Sequence, residues 1–205
     1  MRKALIVLIF LSVGRICHAQ QDTLSALNKF GSRIFLPSID VGYQFPTSEL
    51  LESSLIVKTT IEYRLRNNND FFIRLSYDTY GARYKLAEFN NTTNTIEGTV
   101  QFSDVLLGPG YRFGDNDYRL MVAFMPGIKS YEFPTATLDG QRVIISQESQ
   151  ILFTTSFLTT LEFYFDPKSA LTISFFQNQV WEDVDFWEDG RAGYGFTIGF
   201  ITSLL

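Results

Sequence analysis

The chain has 205 residues, with 17 Lys+Arg against 22 Asp+Glu, one His and one Cys. That length suits one domain or two small ones, and 19% charged beside 16% aromatic residues is too apolar a mixture for a disordered chain. A net charge of −5 argues against a nucleic-acid partner, which would call for a basic face.

The first element is a targeting segment. Arg2 and Lys3 form a basic start, Ala4 to Leu11 is unbroken apolar sequence, and Cys17-His18-Ala19 puts small side chains at the −3 and −1 positions of a cut after Ala19. Arg15 and Ile16 are too large to precede a lipidated Cys17. The apolar run also falls short of the roughly 18 residues that a membrane helix needs. Cleavage leaves 186 residues, 14 basic against 22 acidic, a net charge of −8, and neither Cys nor His. Disulfides and histidine general-base chemistry are then both excluded. Residues 1–19 therefore read as a signal peptide, 20–33 as a short periplasmic segment and 34–205 as a barrel.

Residues 22–31 are expected to form a short helix, capped by Asp22 or Thr23 and stopped at Gly31. Thereafter apolar and polar residues alternate in eight segments of about ten, the pattern of strands. Ile39, Val41, Tyr43 and Phe45 share a face in the first. Leu55, Val57, Ile61, Tyr63 and Leu65 do so in the second, against Lys58, Thr60, Glu62 and Arg64. The third sets Phe71, Ile73, Leu75 and Tyr77 against Arg74, Ser76 and Asp78. The fourth, near 98–113, is less regular and suggests a bulge around Asp104. The fifth alternates from Tyr118 to Met125, the sixth runs from Ile151 to Phe165, the seventh centres on Ile173, and the eighth runs from Tyr194 to Leu204.

Short and long gaps alternate between these segments. Asn67-Asn68-Asn69-Asp70, Gly114-Asp115-Asn116-Asp117 and Asp166-Pro167-Lys168-Ser169 are tight-turn sequences, whereas 46–54, 81–97, 130–148 and 177–190 are long. An up-and-down barrel then carries its tight turns at one end and its loops at the other, as transmembrane outer-membrane barrels do. A soluble lipocalin-type barrel would turn the apolar face inward instead. Lipid outside is favoured by a polar face of mostly Thr, Ser, Gly and Gln. It is favoured too by aromatics beside the tight turns: Tyr63, Phe71, Tyr111, Phe113, Tyr118, Phe163 and Phe165. Gly108, Gly110, Gly193, Gly195 and Gly199 lie on the polar face, where a narrow lumen needs room.

The segment Leu106-Leu107-Gly108-Pro109-Gly110-Tyr111-Arg112-Phe113 and the last strand, Gly193-Tyr194-Gly195-Phe196-Thr197-Ile198-Gly199-Phe200, carry a resemblance. From about residue 34 onward, the chain resembles the small outer-membrane β-barrels of Gram-negative bacteria, OmpX-like and OmpA-barrel-like, of the Bacteroidetes type. It ends in Leu205, where the family often ends in Phe. The resemblance implies an all-β, eight-stranded antiparallel transmembrane barrel with periplasmic termini. It also implies outer-membrane lipid and the assembly machinery as partners, and a structural, adhesive or envelope and secretion-support role through external loops.

Two groups of residues are candidates for function. With the turn centred on Asn68, Glu62 faces Arg74 and Lys58 faces Asp78; Arg64, Arg112 and Arg119 lie nearer the tight-turn end, with Glu162 as a partner. This charge network is expected to close the lumen. The last long loop gathers Trp181, Glu182, Asp183, Asp185, Trp187, Glu188 and Asp189. Carboxylates suit a hard cation and exposed Trp suits a protein partner, although the spacing matches no calcium loop. No cofactor and no catalytic residue is expected, and whether a metal binds is left open. The alternative is a barrel, membrane-bound or lipocalin-like, that takes a small apolar ligand or acyl chain among Ile56, Met121, Met125, Leu152, Leu158 and Phe176.

Overall fold

Period-two alternation makes every segment a strand with one apolar and one polar face, and closing such strands into a barrel leaves no unpaired edge. The computed structural model describes residues 32–65, 68–86, 96–114, 118–139, 142–166, 169–183 and 191–202. The strands are β1 Ser32–Pro46, β2 Ser54–Leu65, β3 Asn68–Leu86, β4 Ile96–Gly114, β5 Tyr118–Asp139, β6 Arg142–Asp166, β7 Ser169–Val180 and β8 Ala192–Thr202. Each pairs with the next, and β8 closes on β1 in an antiparallel barrel. The helix expected over 22–31 lies outside the described residues.

The register fixes the barrel's width. Directly opposed residues lead from Arg119 on β5 through Glu162, Thr172, Gly199, Asp40, Lys58, Asp78 and Asp104, and back to β5 at Lys129. The path closes ten residues from its start, the difference between 129 and 119. That shear tilts eight strands by about 40–45° and leaves room inside for side chains alone.

The apolar face points outward. Ile39, Val41, Tyr43, Phe45, Leu75, Phe157, Leu171, Ile198 and Phe200 are exposed, while Lys58, Glu62, Arg74, Asp78, Asp104, Arg112, Lys129 and Glu162 are buried. This is the reverse of a lipocalin-type barrel. Tyr63, Phe71, Tyr111, Phe113, Tyr118 and Phe165 are exposed beside the tight-turn end, the place of an interfacial aromatic girdle.

Two sequence expectations are corrected. β4 carries no bulge at Asp104, for it pairs with β3 without a shift from Phe71–Tyr111 to Leu86–Ile96; the shifts fall at Phe35/Ser38, Arg64/Leu65 and Tyr164/Asp166. Its alternation looks irregular because apolar Phe102 and Leu106 point inward and are buried. Nor is 130–148 a loop. β5 and β6 stay paired out to Asp139–Arg142. β4 follows β5 only to Glu132, and β7 follows β6 only from Thr154, so the rest is a two-stranded ribbon. Pro126-Gly127 lies inside β5. Pro109 and Pro126 offer no N–H, and the β4–β5 pairs between Leu106–Gly127 and Gly110–Ala123 are missing there, with the register unchanged on either side.

Candidate functional site

The lumen charges come from alternate residues of β1 to β6 and form a stack. At the tight-turn end Arg112 reaches across the barrel. Its Nε donates to Glu162 Oε2 at 2.9 Å, and its Nη2 donates to Glu162 Oε1 at 2.9 Å and to the Glu62 carboxylate at 2.7 Å. Arg74 Nη2 donates to Glu62 Oε2 at 2.9 Å, and the Tyr164 hydroxyl donates to Glu162 Oε2 at 2.9 Å. β2, β4 and β6 are not neighbours, so Arg112 ties three separated strands together. Its guanidinium carbon also lies 4.3 Å from the centroid of the Phe72 ring, a cation–π contact.

One step outward, Lys58 Nζ donates to Asp78 Oδ2 at 2.5 Å and sits 3.7 Å from the centroid of the Phe176 ring. Asp40 accepts from Ser38 Oγ at 3.2 Å and Thr172 Oγ1 at 3.1 Å. Further out, Lys129 Nζ donates to Asp104 Oδ2 at 2.8 Å and to the Tyr80 hydroxyl at 2.7 Å. Tyr80 stacks on Phe102, which stacks on Tyr131, which stacks on Phe133.

The structure thus brings together Lys58, Glu62, Arg74, Asp78, Arg112 and Glu162. Arg119 is half-buried, opposite Glu162 in the ladder, with its guanidinium carbon 5.2 Å from the centroid of the Tyr164 ring. Arg64 pairs with Phe72 in the sheet, and its side chain lies outside the described residues. Asp40, Asp104, Lys129 and Tyr80 were not anticipated. Extending the β4–β5 register past Pro126 would have placed Lys129 opposite Asp104.

The acidic loop is described only in part. Trp181 is exposed, and its Nε1 donates to Thr155 Oγ1 at 2.9 Å. Glu182 is exposed, and Asp183 forms a surface ion pair with Arg191. Asp185, Trp187, Glu188 and Asp189 lie outside the described residues. Among the described residues, no group of three or more His, Cys, Asp or Glu could hold a metal ion.

No family model matches the chain, nor does any curated protein sequence. Among solved structures, Neisserial surface protein A aligns over 85% of this chain and 97% of its own, at 12% identity and a TM-score of 0.51. Ail, the attachment invasion locus protein of Yersinia pestis, solved with the heparin analogue sucrose octasulfate, aligns over 84% and 96%, at 16% identity and a TM-score of 0.48. The N-terminal β-barrel domain of Pseudomonas aeruginosa OprF aligns over 84% and 97%, at 14% identity and a TM-score of 0.45. At such identities the likeness is one of architecture: the chain has the fold of the small outer-membrane β-barrels.

Proposed function

We propose that this chain is a non-enzymatic barrel spanning the outer membrane of a Gram-negative cell, with a plugged lumen and periplasmic termini. Its role is structural, adhesive or envelope and secretion support, exercised through its external parts. The observation that carries this reading is the inversion of the barrel. Aromatic and aliphatic side chains cover the outside, while Arg112 is buried between Glu62 and Glu162. Water outside would make so large an apolar surface untenable, whereas lipid is its natural solvent. His18, in the leader, is the sole histidine, which agrees with a role without general-base chemistry. The external partner would meet the β5–β6 ribbon and the loop that begins at Trp181. Outer-membrane lipid and the assembly machinery, acting on β8, are the remaining partners.

An acyl chain or other apolar ligand in the lumen is disfavoured. Ile56, Met121, Met125, Leu152, Leu158 and Phe176 are buried in one packed cluster. A cavity at the outer mouth of the lumen, among the described residues, measures about 30 Å³, against roughly 300 Å³ or more for a ligand pocket. Envelope fractionation with heat-modifiable gel mobility tests the membrane reading. Recovery in the outer membrane with a faster-migrating unboiled form is expected. A soluble protein whose mobility ignores boiling would overturn it.

A further inference from the structure

Asn178 on β7 is buried, and among the described residues neither its Nδ2 nor its Oδ1 has a hydrogen-bond partner. Gln44 Oε1 on β1 and Ser54 Oγ on β2 are buried in the same condition. The three residues that carry these atoms line one region of the lumen. Gln44 and Ser54 are directly opposed across β1 and β2, and Asn178 is opposite Gly193 on β8. A Cβ added at Gly193 would lie 2.9 Å from Gln44 Nε2, so the Gln44 side chain crosses β8 through space that a larger residue would take. All three side chains line one cavity of about 30 Å³, together with Tyr80, Lys129 and Leu51. Leu51 forms its wall from the β1–β2 connection. That connection is fixed by the Leu51–Tyr84 bridge and by Glu52 N–H donating to Arg83 O at 2.8 Å.

Buried polar atoms in native proteins are almost always satisfied, by protein or by ordered water. Here two acceptors, one amide donor and one hydroxyl surround a common space, and their complement is a small neutral molecule that both donates and accepts. The two cations of its lining are already paired, Lys129 with Asp104 at 2.8 Å and Arg191 with Asp183, so the cavity asks for no counter-ion. Its volume exceeds the roughly 10–15 Å³ that a single buried water needs, and its polar lining supplies the partners such a water requires. We propose that this cavity is a water-binding site, with ordered water bridging Asn178 to Gln44 and Ser54 at the outer mouth of the lumen. Asp104 Oδ1 and Arg112 Nη1, deeper in the lumen, are likewise buried without a partner among the described residues, but the atoms around this cavity are the ones that share a space open to the loop end. This site does not depend on what the external loops bind.

The test uses the whole protein refolded in detergent. A crystal structure at a resolution that shows solvent is expected to place water within hydrogen-bond distance of the Asn178 amide and of Gln44 or Ser54. A dry cavity, side chains turned to bond one another, or an ion or additive in the site would overturn the proposal. In micelles, water-to-protein NOE peaks are expected at the Asn178 Nδ2 protons and the Lys129 ammonium. Asn178→Leu fills the cavity and should abolish the Lys129 peak, with Asn178→Ala retaining it. An unchanged Lys129 peak in a folded Asn178→Leu barrel would also overturn it. Should the Leu variant fail to fold, the wild-type crystal and spectrum decide alone.

Discussion

Asp78 and Asp104 face each other directly across β3 and β4. Two carboxylates at this spacing repel, and both are buried without measurable exposure. What makes the pair tolerable is the next residue on either side of the same row. Lys58 lies 2.5 Å from Asp78 and Lys129 lies 2.8 Å from Asp104. The row thus runs acid, base, acid, acid, base from Asp40 to Lys129, each directly opposite the last.

Removing Lys129 leaves Asp104 uncompensated beside Asp78. Lys129→Met is therefore expected to destabilise the barrel by about 3–5 kcal/mol, the cost of breaking a buried pair from one side. Lys129→Met with Asp104→Leu removes the orphan charge and should recover much of the loss. Urea unfolding in lipid vesicles measures both. A double variant as unstable as the sum of its single changes would show that the two residues do not act as a pair.

Charge reversal distinguishes a simple pair from a network. Glu62 accepts from Arg74 at 2.9 Å and lies 2.7 Å from Arg112 as well. Glu62→Arg with Arg74→Glu would restore a cross-strand pair, yet it would set the new arginine against Arg112. The swapped protein is expected to remain at least as unstable as Glu62→Gln, by urea unfolding in the same vesicles. Recovery to wild-type stability would mean that Arg112 contributes nothing to holding Glu62.

Because Arg112 and its two glutamates span strands that are not neighbours, the lumen should be closed to ions. Planar bilayers containing the wild-type protein are expected to show no stable conductance steps. Steady open-channel currents would be incompatible with a plug at this layer.

How far the sequence disclosed this arrangement depended on where each register was anchored. Glu62–Arg74 and Lys58–Asp78 were legible because a four-residue turn signal pins β2 to β3 within a few residues of the charges. Lys129–Asp104 was not. The alternation of β5 is clear only from Tyr118 to Met125 and the long gap begins at 130, so Pro126 and Gly127 break the pattern just before Lys129, and Tyr131 and Phe133 fall within the gap. Inward apolar residues had the same effect on β4, where Phe102 and Leu106 on the lumen face mimicked a bulge. Composition gave no warning of either, since a narrow lumen is filled with whatever side chains fit its volume. The charges on which the outer half of the lumen depends were thus hidden by local breaks in pattern that the paired neighbours override.

The expected topology follows from the strand connections. In whole cells, added protease should cut within the β3–β4 or β7–β8 connections, 87–95 and 181–191, and spare 66–67, 115–117 and 167–168. The β5–β6 ribbon should resist more than its 130–148 position suggests, because its backbone is paired out to Asp139–Arg142. Mass spectrometry of the product is expected to find Gln20 at the mature N-terminus. Cleavage at the short connections from outside would reverse the orientation.

Glycines in the barrel wall separate two kinds of crowding. A Cβ at Gly108 would lie 2.0 Å from Phe124 O and 2.7 Å from Met125 Cα, both backbone atoms of β5. Main-chain atoms cannot swing aside as a side chain can, so an alanine there must push β4 away from β5. A Cβ at Gly81 would meet only the amide end of Gln101, at 3.0 Å, which can swing away. Gly108→Ala is therefore expected to cost about 1–3 kcal/mol, the range for overpacking a rigid site. Gly81→Ala should stay within about 0.5 kcal/mol of wild type, helped by the smaller entropy of its unfolded chain. Paired urea titrations of the two variants measure the difference directly. Equal losses at both positions would mean that the close approach of β4 to β5 is not what reserves Gly108 for glycine.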